Sequence, residues 1–135
     1  MSSERLIYLP LGGAGEIGMN AYVYGYGRPG KERLIVVDLG VAFPDMDSSP
    51  GVDLIIADID WLRERRDQIE AVFITHAHED HIGGVAHTYE HLQAPIYARS
   101  FTANIARRKM EEHGHPEDAV HVAVSYTHLT LPTKA

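Results

Sequence analysis

The chain has 135 residues, nine of them histidine and none cysteine, and a formal net charge of −7. That length holds at most one ordinary domain, and the missing cysteine excludes disulfides and thiolate metal ligands. No apolar run approaches the roughly 20 residues of a membrane span. The first residues, Met1 to Arg5, lack the basic-then-apolar pattern of a signal peptide, and an acidic balance argues against a surface that coats nucleic acid.

In chain order, Leu6 to Leu11 reads as a strand running into a glycine-rich turn, Gly12 to Gly18. Asn20 to Tyr26 is strand-like, with β-favouring residues in partial alternation. Gly27-Arg28-Pro29-Gly30 is a turn signal, and Arg33 to Asp38 is a third strand, apolar enough to be central. Residues Gly40 to Gly51 read as a loop, and Asp53 to Asp58 as a short apolar piece. Trp61 to Ile69 has the charge of a surface helix, followed by a strand at Ala71 to Ile74. Val85 to Leu92 is a helix, Pro95 to Ala98 a strand, and Thr102 to His113 a helix with Thr102 as N-cap and Gly114 as its stop. Strands alternating with helices indicate an α/β layered fold. The last dozen residues, 124–135, carry no acidic group and continue no earlier pattern. They read as a non-native tail and are set aside.

The chemistry concentrates in Thr75-His76-Ala77-His78-Glu79-Asp80-His81, which follows the apolar run Ala71-Val72-Phe73-Ile74. In an extended segment alternate side chains share a face, so His76 and His78 are expected on one metal. Asp80 and His81, past the turn, are expected to face a second. Imidazole and carboxylate suit Zn²⁺, or Mn²⁺ as the oxygen-richer choice, and two metals point to hydrolysis. Glu79 is expected to point away from the metals. Asp38 ends a buried strand and must be paired; it either holds the histidine loop in place or caps the strand.

Three other patterns compete. Gly13-Ala14-Gly15-Glu16-Ile17-Gly18, with Asp38 downstream, matches a dinucleotide fingerprint. That site requires a helix at the glycines, and a strand-like segment stands there instead. His87-Thr88-Tyr89-Glu90-His91 matches an inverted zinc-protease pattern without a clear third ligand. Arg107-Arg108-Lys109 offers phosphate contact, although a charge run on a helix is usually a solvated face.

His-x-His-x-Asp-His after a buried strand resembles the signature of the metallo-β-lactamase superfamily. Further blocks narrow the resemblance: Leu11 to Asn20, Val37-Asp38-Leu39-Gly40, Pro50 to Ile55, Thr75 to Gly84, and Ala94 to Ala98. Together they are similar to the N-terminal region of the ribonuclease J family, a β-CASP branch of that superfamily. The resemblance implies an αββα sandwich with two zinc ions at one edge, His76 and His78 on the first, and Asp80 and His81 contributing to the second. It also implies 5′-to-3′ exonuclease and endonuclease action on RNA, preferably 5′-monophosphorylated, in mRNA decay and rRNA maturation. A cytoplasmic homo-oligomer without a membrane partner is expected.

Family members are several times longer. Residues 1–123 are therefore expected to be the N-terminal portion of an incomplete metallo-β-lactamase domain, inactive alone and exposing apolar sheet that a second half would cover. The alternatives are another hydrolase of this superfamily, such as a thioesterase or lactonase, and a non-catalytic metal-binding module.

Overall fold

The computed structural model describes residues 3–15, 18–43, 51 and 54–124. Strands β1 (Arg5–Gly12), β2 (Ala21–Gly27) and β3 (Arg33–Val37) form an antiparallel meander. A small antiparallel ladder joins β4 (Val41–Ala42) to β5 (Ile55–Ile56). Then come helix α1 (Asp60–Arg63), strand β6 (Ile69–Phe73), helices α2 (Glu79–Ile82) and α3 (Val85–Leu92), strand β7 (Ile96–Ala98), helix α4 (Ser100–Glu112) and strand β8 (Val120–Val122). The main sheet has six strands in the order β1-β2-β3-β6-β7-β8, and the pairs from β3 to β8 are parallel.

The pattern of burial explains these elements. In β2, Ala21, Val23 and Gly25 are buried while Tyr22, Tyr24 and Tyr26 turn away, which is the period of two of a half-covered strand. Strand β6 is buried at Ile69 to Val72, as expected for a parallel strand in mid-sheet. Helix α4 buries Thr102, Ala103, Ala106 and Met110, an i, i+1, i+4, i+8 stripe.

The core lies between one sheet face and the helices. Val23, Leu34, Val36, Val72, Ile96 and Val120 meet Leu62, Ile82, Val85, Ala103, Ala106 and Met110. This is the α/β sheet-and-helix arrangement expected of the N-terminal part of a metallo-β-lactamase sandwich.

The opposite sheet face is aromatic. Cross-strand pairing aligns Tyr8 with Tyr24, and Val37, Phe73, Tyr97 and His121 across four strands. Rings touch along it: Tyr8–Tyr24 at 5.1 Å, Phe73–Tyr97 at 5.7 Å, Tyr97–His121 at 5.0 Å. Leu6 remains 77% exposed, Tyr8 54% and Tyr26 56%.

Three expectations need correction. The surface helix over Trp61 to Ile69 is only α1 plus a 3₁₀ turn at Arg66–Gln68, because Ile69 is already paired with Leu34 in the sheet. The loop after Gly40 opens with β4, whose Val41 is buried against Ile56 of β5. Thr102 is not the N-cap of α4: Arg99 holds that position in extended conformation, and Thr102 is buried inside the helix. Gly114 does stop α4. It takes φ +74, donates to Glu111 O at 3.0 Å, and lets His115 N reach Met110 O at 2.9 Å, the paired bonds of a Schellman ending. Of residues 124–135, expected to be a non-native tail, all but Val124 lie outside the described residues.

Candidate metal centre

The site begins one residue past β3. Asp38 N donates to Phe73 O at 2.8 Å, extending the parallel ladder, and Asp38 then turns to φ +66. A non-glycine residue in that region carries strain, which Asp and Asn bear best. The turn buries the carboxylate to 3% exposure, where it must be hydrogen-bonded.

Its partners are the histidine loop. Oδ1 accepts from Thr75 N at 2.7 Å, and Oδ2 from Thr75 Oγ1 at 2.8 Å. His81 Nδ1 lies 2.7 Å from Oδ2. A carboxylate facing these groups accepts, so His81 carries a proton on Nδ1 and its Nε2 is left for other chemistry. Thr75 has one hydroxyl proton, which it donates in the hydrogen bond to Asp38. His76 Nδ1, 3.0 Å from Thr75 Oγ1, is then the donor of that contact. Asp38 thus orients His81 directly and His76 through Thr75, with Nε2 as the basic nitrogen of both rings. A carboxylate or hydroxyl behind each imidazole is the usual support of a metal-binding histidine.

The main chain fixes the rest. Asn20 N and Nδ2 both donate to Asp80 O, at 3.0 and 2.8 Å. Leu39 N donates to His81 O at 2.9 Å, and Gly84 N to Leu39 O at 2.8 Å. Gly40 lies under this loop: a Cβ there would come within 1.8 Å of Asp80 O. Glu79 turns outward to Lys109 on α4, Oε1 to Nζ 2.7 Å.

His76, Asp80 and His81 bring one donor atom each within 4.8 Å of one another, the three-donor group found among the described residues. His76 therefore groups with Asp80 and His81, which α2 folds back toward it. His81 Nε2 lies 3.6 Å from Asp80 Oδ2 and 3.4 Å from Asn20 Nδ2. His78 precedes α2 and is exposed; its ring stands 4.8 Å from that of His76, edge to face, outside the trio. Two imidazoles and a carboxylate form a donor set that fits a borderline divalent ion such as Zn²⁺, with Mn²⁺ also compatible. A cleft of about 510 Å³, lined by Gly18, Val41, Ala42, Phe43, Glu79 and Asp80, opens beside the trio.

Thr75 and Asn20 had no role assigned from sequence. A hydroxyl directly before His76 was a signal for the first. For Asn20, 61 residues from His81, local sequence held none.

The competing motifs find other uses. A strand follows the glycine block, where a dinucleotide site needs a helix. His87 meets His113 edge to face at 4.5 Å. Arg107 donates to Val120 O at 3.0 Å and Lys109 pairs with Glu79, so two charges of the basic run are tied into the fold.

Comparison with known proteins gives the family. The sequence profile of the metallo-beta-lactamase superfamily matches residues 14–128. The chain belongs to the metallo-beta-lactamase superfamily. Within the superfamily it is similar to ribonuclease J of Sinorhizobium meliloti, 52% identical over 106 residues, covering 78% of this chain and 19% of that protein. Ribonuclease J2 of Bacillus subtilis is 37% identical over 114 residues, 84% of this chain and 20% of the relative. Ribonuclease J 1 of Streptococcus pyogenes is 38% identical over 122 residues, 90% and 21%. The chain thus spans about a fifth of the length of the curated relatives it matches. Among the described residues no helix is long and apolar enough to cross a membrane.

Proposed function

We propose that this chain supplies part of the active site of a metal-dependent ribonuclease of the ribonuclease J type. The observation that carries the reading is Asp38, a buried carboxylate that aims two imidazoles of a His76/Asp80/His81 donor set. His78, whose ring stands 4.8 Å from that of His76, would be the fourth ligand. Two ions, zinc or alternatively manganese, complete the site together with ligands that these residues do not provide. Such ions supply the Lewis acidity and positive charge that phosphodiester hydrolysis needs.

The chain's own contribution is to orient. Thr75 and Asp38 hold His76 and His81 with Nε2 forward, and Asn20 and Gly40 fix the backbone that carries Asp80. The substrate is RNA, preferably with a 5′-monophosphate, cut by exonucleolytic and endonucleolytic action in mRNA decay and rRNA maturation by a cytoplasmic homo-oligomer. Similarity to three ribonuclease J proteins favours this over a thioesterase or lactonase of the same superfamily.

The test uses the full-length protein that carries this sequence. His76→Ala or His81→Ala should lower bound metal and reduce cleavage of 5′-monophosphorylated RNA at least 100-fold; undiminished cleavage by either variant would sink the reading. Residues 1–135 alone should bind metal weakly and leave RNA intact, as a non-catalytic metal-binding module does.

A further inference from the structure

Three histidines outside the metal centre meet where α3 packs on the C-terminal end of α4. The rings of His87, on α3, and His113, which caps α4, stand 4.5 Å apart edge to face. His115 lies parallel to His113 at 6.3 Å. Two carbonyls fix the tautomers: His113 Nδ1 is 3.1 Å from Lys109 O, and His115 Nε2 is 2.9 Å from Ala86 O. A carbonyl can only accept, so each of those nitrogens carries its proton. The lone pair of His113 is therefore on Nε2. An imidazole whose second nitrogen donates to the main chain is held in the tautomer and orientation a metal ion needs.

The surroundings also suit a cation. Burial first, then the neighbouring His113 and Lys109, lower the pKa of His87 below its ordinary 6.5, which weakens proton competition for that ring. The charge of Lys109, which would repel an ion, is paired with Glu79 at 2.7 Å.

We propose that His87 and His113 form a second metal site, separate from the His76 centre, for a divalent ion of the zinc, nickel or copper class. Imidazole is the ligand these ions share. The donors of His87, His113 and His115 do not converge as those of His76, Asp80 and His81 do, so two imidazoles hold the ion and water completes its shell. The pair joins two helices, so a bound ion fastens α3 to the end of α4 and stabilises the folded state by mass action.

The experiment is a Zn²⁺ titration of the full chain, followed through the ring C–H resonances of each histidine. His87 and His113 should shift together and saturate. In H113A the His87 shift should disappear while His76 and His81 still respond; His113 is exposed, so its loss leaves the core intact. H91A, which removes the other histidine of the sequence motif, should leave the His87 shift unchanged. Resonances of His87 and His113 that stay fixed while His76 and His81 saturate would overturn the second site alone. So would a His87 shift that persists in H113A. Silence at His76 and His81, with His87 responding, would instead count against the metal centre.

Discussion

Asp38 is where sequence, strain and chemistry meet. Its positive φ costs on the order of 1–3 kcal/mol, and four short contacts to Thr75 and His81 hold it there. Asp38→Asn keeps the tolerance for that backbone region but removes the charge behind His81. Metal affinity should fall by about 10- to 100-fold with the fold retained, measurable as Zn²⁺ binding beside an unchanged circular dichroism spectrum; unaltered affinity would leave Asp38 a mere strand-end cap. Gly40 acts by size rather than charge. An added methyl would overlap Asp80 O, and relieving it must displace the loop. Gly40→Ala should lose about 3 kcal/mol or more of stability and metal binding with it, both read in one denaturant series with and without zinc.

At the scale of elements, the meander β1-β2-β3 is the frame and its last strand delivers Asp38. A charged tie closes the frame: Arg5 Nε and Nη2 each reach Glu32 Oε2 at 2.6 Å. Glu32 is 4% exposed. Its carboxylate accepts from its own backbone N–H, and this, with the Arg5 guanidinium and the Gly30 backbone, holds its pKa below 4.5 against the opposing effect of burial. The unfolded chain therefore takes up the proton first as pH falls. Stability from this tie is full above about pH 4.5 and is lost as pH drops through that value toward the lower folded one. Glu32→Gln should flatten the melting temperature over that window; a variant whose acid slope matches the parent would remove Glu32 from the account. On the other side of the core, α2 is only four residues long and far below the length of a self-sustaining helix. Contacts from Asn20, Leu39 and Lys109 keep it in place.

Among the described residues the main six-stranded sheet has one face covered by helices and one open. Contiguous apolar surface of this kind is uncommon on a soluble monomer, and the expectation of exposed sheet is met at Leu6, Tyr8 and Tyr26. Residues 1–135 in isolation should bind a hydrophobic dye such as ANS and self-associate as concentration rises. Tyr24→Lys, at a 41% exposed position in the middle of the Tyr8–Tyr24 contact, should weaken both. A dye signal no greater than that of an ordinary folded monomer would show that this face is not apolar in solution.

Sequence alone determined the main strands, the helices α3 and α4 and the cluster of ligand-type residues, because these are local signals; the short elements β4, β5, α2 and β8 were not legible. Alternation marks a half-buried strand within seven residues, as in β2, and His76, His78, Asp80 and His81 fall within six. For Asp38 sequence required a partner, since a buried carboxylate must find one, but left open whether it holds the histidine loop or caps the strand. Tertiary structure decided the distances: α2 brings Asp80 and His81 to His76, with one donor atom of each within 4.8 Å of the others, while the ring of His78 stands 4.8 Å from that of His76. Likewise the pairing of His87 with His113, 26 residues apart in sequence, and the grip of Asn20 on Asp80 arise only when separate elements pack. Spacing along the chain fixes which side chains an element can present; which of them meet is set by how distant elements bury their apolar faces.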